Sequence, residues 1–141
     1  MHPHITVITL AVQDLEASFA FYHHGLGLAS SGIIGTEFED GAAAFFDLQQ
    51  GLKLALWPQS SLSHDTGLSA SAFCATQMSL SHNVASPAEV DRLMLQAIQA
   101  GAKAVKPAQP TFYGGYAGYF QDLDGHLWEI ACNPQFNEPC L

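Results

Sequence analysis

The stretch that decides the fold is GGYAGYFQDLDGHLWEIACNP, residues 114–134. Small and aromatic residues alternate over residues 116–121, and the DLDG sequence at 122–125 is typical of a turn in which glycine adopts a positive φ. Residues 126–132 form a second predicted strand, so the stretch is predicted to be a β-hairpin. Alternation divides the second strand into two faces, Leu127, Glu129 and Ala131 on one and His126, Trp128 and Ile130 on the other.

Glu129 is a carboxylate inside an otherwise apolar strand. If the strand is buried, Glu129 needs a hydrogen-bond partner, a proton or a metal, because desolvating a charge costs several kcal/mol. If the strand lies at a sheet edge, Glu129 faces water. Periodicity alone leaves both interpretations open.

The composition indicates one compact domain, or two small fused halves, in 141 residues. Hydrophobic residues make up 48% of the chain and charged residues 12%, which predicts a packed core. No apolar run approaches the roughly 18 residues of a membrane-spanning helix, and the amino terminus lacks the pattern of a signal peptide.

The net charge is −9, and the chain has four basic residues. This balance argues against nucleic acid and anionic membranes as partners, because both require clustered Lys and Arg. It favours cationic or neutral small ligands, although the charge also simply increases solubility. The three cysteines form no CxxC motif and predict neither a disulfide framework nor a zinc site, so we expect a cytoplasmic protein.

The first half of the chain reads as β-α-β-β-β. Asp14 is a predicted N-cap, and Gly25 is predicted to end the helix that follows. Strands are predicted at residues 5–12, 28–37, 43–48 and 52–57, the last two joined by a turn that contains Gly51.

Residues 58–71 are rich in Ser and contain Pro and Gly, so they are predicted to be a linker. The same element order then repeats. A strand is predicted at 73–81, and the helix after it begins with the capping box of Ser86 and Glu89 and ends at Gly101. A strand at 102–105, a loop at 107–115 and the hairpin follow. We predict an α+β fold with a first module at 1–57, the linker at 58–71, a second module at 72–134 and a loosely held tail at 135–141. Repeated modules of this kind are expected to pair and enclose a cleft.

Three features together resemble the vicinal oxygen chelate superfamily. They are the paired modules, the VQDL step at residues 12–15 with Phe21, Tyr22 and the GLG at 25–27, and the DLDGHLWE motif at 122–129. This superfamily includes glyoxalase I, extradiol dioxygenases, fosfomycin-resistance enzymes and bleomycin-resistance proteins. The resemblance covers residues 4–134 and implies two β-α-β-β-β modules pairing into a curved mixed sheet around a cleft. It does not specify an activity, because one fold supports many chemistries.

The resemblance implies four metal-ligand positions, two on the first strands of the modules and two on the last strands. In this chain these positions fall at Val7, Gln77, Ala55 and Glu129. A catalytic transition-metal site usually needs about three protein ligands. We therefore expect an incomplete metal site and no cofactor; if a divalent metal binds, Glu129 and Gln77 are its candidate ligands.

The resemblance also implies an apolar cleft with a small polar cluster, which is typical of a small-molecule site. Glu129 is the candidate catalytic residue. The candidate ligand-binding residues are Gln77, Glu129, Thr9, Ser79, Trp57, Tyr113 and Tyr116. The aromatic loop at 112–116 either closes over the cleft as a lid or fills the core.

We predict a protein that resembles the glyoxalase and bleomycin-resistance proteins and takes a small organic molecule into the cleft between the modules, as a binder or as an enzyme. One alternative is a metal-dependent lyase, isomerase or dioxygenase of the same superfamily. Another is a non-catalytic interaction domain or degenerate scaffold. Homodimers are common in the superfamily, and edge strands with few charges permit the same assembly here.

Overall fold

The chain folds into two compact units, Met1–Ala72 and Phe73–Leu141. The computed structural model describes residues 1–70 and 74–136. The predicted strand start at Phe73, most of the tail and Cys140 therefore lie outside the described residues.

Unit 1 is a four-stranded mixed sheet with helices. Its elements are β1 (Val7–Val12), α1 (Leu15–Ala20), β2 (Ile33–Ile34), β3 (Ala43–Asp47), β4 (Lys53–Pro58) and α2 (Gln59–Thr66). The strand order is β1-β4-β3-β2, with β1 parallel to β4 and the other pairs antiparallel.

Helix α1 begins where the sequence predicts, because the Asp14 side chain accepts a hydrogen bond from the Ala17 N–H at 3.0 Å. A π-helical turn over Phe21–Gly25 continues it. Alternation along the strands then gives the sheet a buried face, on which Leu10, Leu54 and Phe46 are at most 1% exposed. The opposite face carries Thr9, Phe45, Ala55 and Trp57.

Two predictions in unit 1 need correction. The predicted strand at 28–37 is reduced to Ile33–Ile34, in a segment interrupted by glycines at 32 and 35 that both have positive φ. The predicted linker contains α2, which packs against β4 and β1 and ends at Gly67 in the left-handed conformation.

Unit 2 repeats the architecture. Its elements are β5 (Ser79–Asn83), α3 (Pro87–Gln99), β6 (Lys103–Pro110), β7 (Tyr116–Gln121) and β8 (Leu127–Cys132). The strand order is β5-β8-β7-β6, again with one parallel pair, β5 with β8. Helix α3 packs against β6, β7 and β8.

The hairpin within residues 114–134 forms as predicted. β7 and β8 pair in antiparallel register around the turn, and Gly125 has φ 92°. The Asp122 carboxylate accepts the N–H groups of Asp124 and His126 at 3.0 and 2.8 Å, and it contacts the His126 ring at 2.8 Å. These buried contacts fix the turn.

The strands that flank the hairpin differ from the predictions. β6 extends to Pro110, so part of the predicted loop at 107–115 is strand. β5 begins only at Ser79, because Ala75–Gln77 form a 3₁₀ turn.

The predicted α+β fold with two β-α-β-β-β modules is confirmed. The pairing of the modules around a cleft stays a prediction. Among the described residues, every helix is too short or too polar to cross a membrane.

Candidate functional site

Glu129 lies in the middle of β8 with a hydroxyl donor on each side. Its register partners are Ser81 on the parallel strand β5 and Tyr119 on the antiparallel strand β7. Ser81 Oγ donates to Glu129 Oε1 at 2.9 Å, and Tyr119 OH donates to Oε2 at 2.7 Å. Because directly opposed residues project to the same face, the strand pairing itself positions this triplet.

The hydrogen bond to Glu129 also changes the acidity of Tyr119. This bond, with a smaller contribution from burial, raises the pKa of the Tyr119 phenol to about 12 from the usual 10.0. Tyr119 is therefore a protonated donor at physiological pH, as an ordinary tyrosine is, and it stays one into more alkaline solution. It holds the Glu129 carboxylate in one orientation.

Glu129 and Tyr119 both line a cavity of about 180 Å³ in unit 2. The wall of this Glu129 pocket is completed by Lys106, Gln109, Pro110, Thr111, Phe112, Tyr113 and Ala117. The pocket combines a carboxylate, hydroxyl groups, aromatic rings and one ammonium group. Such a mixture suits a small organic molecule that has both apolar and polar parts.

Of the two candidate tyrosines, Tyr113 lines this pocket and Tyr116 does not. Tyr116 OH instead donates to Asp91 Oδ1 of α3 at 2.8 Å. The physical reason is strand alternation: the positions of Tyr116 and Tyr119 differ by three, an odd number, so the two side chains project to opposite faces of β7.

Gln77 is not the register partner of Glu129. It lies exposed in the 3₁₀ turn before β5, and Ser81 occupies the register position opposite Glu129. Ser79 is on β5, opposite Leu127, and shares the Glu129 face by alternation.

Thr9 and Trp57 line a second cavity, of about 360 Å³, in unit 1. Its other lining residues are Ile34, Gly35, Asp40, Gly41, Ala43, Phe45 and Ala55. The wall is mostly apolar, and the Asp40 carboxylate is its charged group.

Asp40 is held in place by a cluster of hydrogen bonds that was not predicted from the sequence. Its carboxylate accepts from Ser61 Oγ at 3.1 Å and contacts His64 Nδ1, and its carbonyl accepts from Trp57 Nε1 at 2.8 Å. The hydrogen bond with His64 lowers the pKa of Asp40 and raises the pKa of His64. The cluster ties the loop before β3 to α2.

The unit 2 residues around Glu129 do not by themselves form a set of transition-metal ligands. In unit 2, within residues 74–136, Glu129 is joined by the Ser81 and Tyr119 hydroxyls, and no imidazole, thiolate or second carboxylate completes a set of ligands around it. The corresponding register positions of unit 1 carry Thr9, Phe45 and Ala55, which offer no strong ligand.

The described residues contain two other groups of possible metal ligands. One is Glu39, Asp40 and His64, and the other is Asp122, Asp124 and His126. Asp40 already accepts a hydrogen bond from Ser61 of α2, and Asp122 accepts two within its own turn.

Sequence reasoning missed Ser81, Tyr119 and Lys106. A signal for Tyr119 was available, because Tyr119 and Glu129 are equally far from the turn residue Asp124 and must pair in a regular hairpin. No comparable signal existed for Ser81, whose register depends on where β5 starts.

The model of the Glyoxalase/Bleomycin resistance protein/Dioxygenase superfamily matches residues 3–130, so the chain belongs to this superfamily. No curated protein sequence matches the chain.

Among solved structures, the chain is similar to a glyoxalase-related enzyme from Fulvimarina pelagi, with 37% identity, a TM-score of 0.79 and coverage of 94% of this chain and 89% of that one. It is also similar to a hypothetical protein from S. aureus, with 25% identity, a TM-score of 0.77 and coverage of 94% and 95%. A third is a mutant fosfomycin resistance protein from Listeria monocytogenes, complexed with Mn(II) and a dihydroxypropylphosphonic acid. It shows 25% identity, a TM-score of 0.68 and coverage of 94% and 92%.

Proposed function

We propose that this protein binds a small organic molecule in the Glu129 pocket, with the Glu129 carboxylate as the main polar anchor for an amine or hydroxyl of the ligand. The observation that carries the proposal is the position of Glu129 in the wall of a cavity, fixed there by two hydroxyl donors.

The hydrogen bonding leaves capacity for a ligand. An ionised carboxylate has about four acceptor sites, and Ser81 and Tyr119 fill one on each oxygen. A ligand amine or hydroxyl can donate to the remaining sites. The rings of Phe112 and Tyr113 supply apolar surface for the body of such a ligand.

Benzylamine, benzyl alcohol and benzoate form a matched set of probes, because they share an aromatic ring and differ in charge. We expect calorimetric titration to rank benzylamine above benzyl alcohol and benzoate. Glu129→Gln should weaken benzylamine binding about tenfold or more, since a charge-assisted hydrogen bond contributes about 1.5–3 kcal/mol.

Glu16→Gln is the control, because it removes the same charge from an exposed position on α1. It should leave benzylamine binding unchanged. Equal affinity of the wild-type protein and Glu129→Gln for benzylamine would refute the assignment of Glu129 as the anchor.

A metal-dependent lyase, isomerase or dioxygenase is the second candidate, favoured by the Mn(II) in the complex of the fosfomycin resistance protein. The ligand set around Glu129 opposes it. Titration with Mn(II) separates the two proposals, because stoichiometric binding that Glu129→Gln abolishes would support the metal-dependent enzyme.

A further inference from the structure

Four side chains form a row across the whole sheet of unit 2. Lys106 on β6 pairs with Tyr119, Tyr119 pairs with Glu129, and Glu129 pairs with Ser81. Since neighbouring strands lie about 4.8 Å apart, the backbone positions of Lys106 and Glu129 are about 10 Å apart. The row therefore has a cationic end and an anionic centre, with the Tyr119 phenol between them.

Lys106 belongs to the same pocket as Glu129, since both line the cavity. It is one of only four basic residues in a chain of net charge −9. Within residues 1–70 and 74–136, the ammonium group of Lys106 forms no ion pair or hydrogen bond. A basic group without a partner in a pocket favours an anionic group on the ligand.

We propose that the Glu129 pocket recognises a small aromatic zwitterion, whose ammonium group binds Glu129 and whose carboxylate binds Lys106. This inference rests on the proposed function, because it concerns the same pocket. It adds a second charged contact and thereby names the class of ligand.

The arrangement of charges explains why a zwitterion fits better than a simple cation. A ligand that carries only an ammonium group brings a positive charge into a pocket that already contains Lys106. A carboxylate at the far end of the ligand replaces this repulsion with attraction. The flexible stem of lysine lets its ammonium group meet carboxylates at a range of distances.

Aromatic surface lies close to both charged groups. Tyr113 and Phe112 line the same cavity, and their rings pack against each other at 5.2 Å between centroids. A ligand with a flat ring between its two charged ends can place the ring against these side chains.

The test is calorimetric titration of the whole chain with para-(aminomethyl)benzoate, benzylamine and benzoate at low ionic strength, where exposed charges are least screened. The first probe carries both charged groups at opposite ends of one ring. Because Lys106 is exposed, we expect this probe to bind up to about fivefold more tightly than benzylamine, the gain of one solvent-exposed ion pair.

Lys106→Met keeps most of the side-chain bulk and removes the charge. This variant should bind para-(aminomethyl)benzoate no more tightly than benzylamine. It should bind benzylamine as tightly as the wild-type protein does, or more tightly. The matched control is Lys103→Met, at an exposed position on the same strand that does not line the pocket. This control should bind para-(aminomethyl)benzoate more tightly than benzylamine by the same factor as the wild-type protein does.

Two results would overturn the inference and leave the proposed function intact: equal binding of the two amines by the wild-type protein, or an advantage that persists in Lys106→Met. Failure of benzylamine to bind in a Glu129-dependent manner overturns the proposed function itself. Binding of para-(aminomethyl)benzoate that depends on Lys106 but not on Glu129 would overturn both, because its ammonium group would then not bind Glu129.

Discussion

Tyr119 can donate its hydrogen bond to Glu129 only while its phenol is protonated. The protonation state of Tyr119 therefore affects the orientation of the Glu129 carboxylate. Ser81 supports the same carboxylate from the opposite strand. The three side chains come from three different strands, so any change in strand register would separate them. The site therefore depends on backbone pairing as well as on its side chains.

The raised pKa of Tyr119 can be measured directly. Titration of ring-labelled tyrosine by NMR should give Tyr119 a pKa of about 12, and Glu129→Gln should lower it towards the usual 10.0 because an amide is a weaker acceptor. Because the folded-state pKa is raised, this bond stabilises the fold fully below pH 10.0. The contribution is lost as the pH rises towards about 12.

Tyr116 supplies an internal control for that titration. Its hydrogen bond to Asp91 raises its own pKa. Asp91→Asn should therefore lower the pKa of Tyr116 and leave that of Tyr119 unchanged. A Tyr119 pKa that does not respond to Glu129→Gln would contradict the coupling.

The Asp40–His64 pair gives a second titration at the residue scale. NMR should show a His64 pKa above 6.5, and Asp40→Asn should return it to near that value. The stabilisation from the raised His64 pKa is complete below pH 6.5 and is lost as the pH rises through the folded-state pKa. Asp65→Asn should have a smaller effect, since Asp65 acts only through its charge. An unchanged pKa in Asp40→Asn would contradict the assigned cause.

At the scale of elements, α3 depends on its amino-terminal cap. Ser86 Oγ accepts the Glu89 N–H at 3.3 Å, and the Glu89 carboxylate accepts the Ala85 N–H at 2.9 Å. Val90, Met94 and Ala97 on this helix are buried, which couples the helix to the sheet that carries Glu129.

Ser86→Ala should lower the free energy of unfolding by about 1 kcal/mol, because it removes an acceptor for an unpaired helix N–H. Urea denaturation of the variant and the wild-type protein measures the difference. Ser60→Ala is the control, at an exposed position near the start of α2 where no side-chain cap is present. Equal losses in both variants would contradict the role of the cap.

The strand β5 shows why one element was placed incorrectly. The apolar and β-compatible residues from 73 onward predict a continuous strand, but the chain makes a 3₁₀ turn at Ala75–Gln77 first. Gln77 therefore lies before β5, and Ser81 is the residue of β5 that pairs with Glu129. The start of a strand is set by a local competition between turn and extended conformations, which amino-acid composition does not resolve. A side chain whose position is assigned from a wrong strand start is therefore placed wrongly as well.

At the scale of the whole molecule, the two units repeat one strand order and one register. Thr9, Ala55 and Phe45 of unit 1 occupy the positions that Ser81, Glu129 and Tyr119 occupy in unit 2. Unit 2 thus carries the carboxylate, whereas unit 1 has alanine at the same place and a larger apolar cavity. The homodimer and the cytoplasmic location stay predictions.

The sequence by itself determined the α+β fold, the repeat and the superfamily, and it singled out Glu129 as a candidate site residue, because hydrophobic periodicity, helix caps and the DLDG turn are local signals. It also determined the faces of β7 and β8, since alternation fixes them once the turn is known. Only the tertiary structure decided which side chains meet Glu129. Ser81 and Lys106 reach the site through strand pairing over long separations in sequence, and a shift of one residue in that register would turn them to the other face.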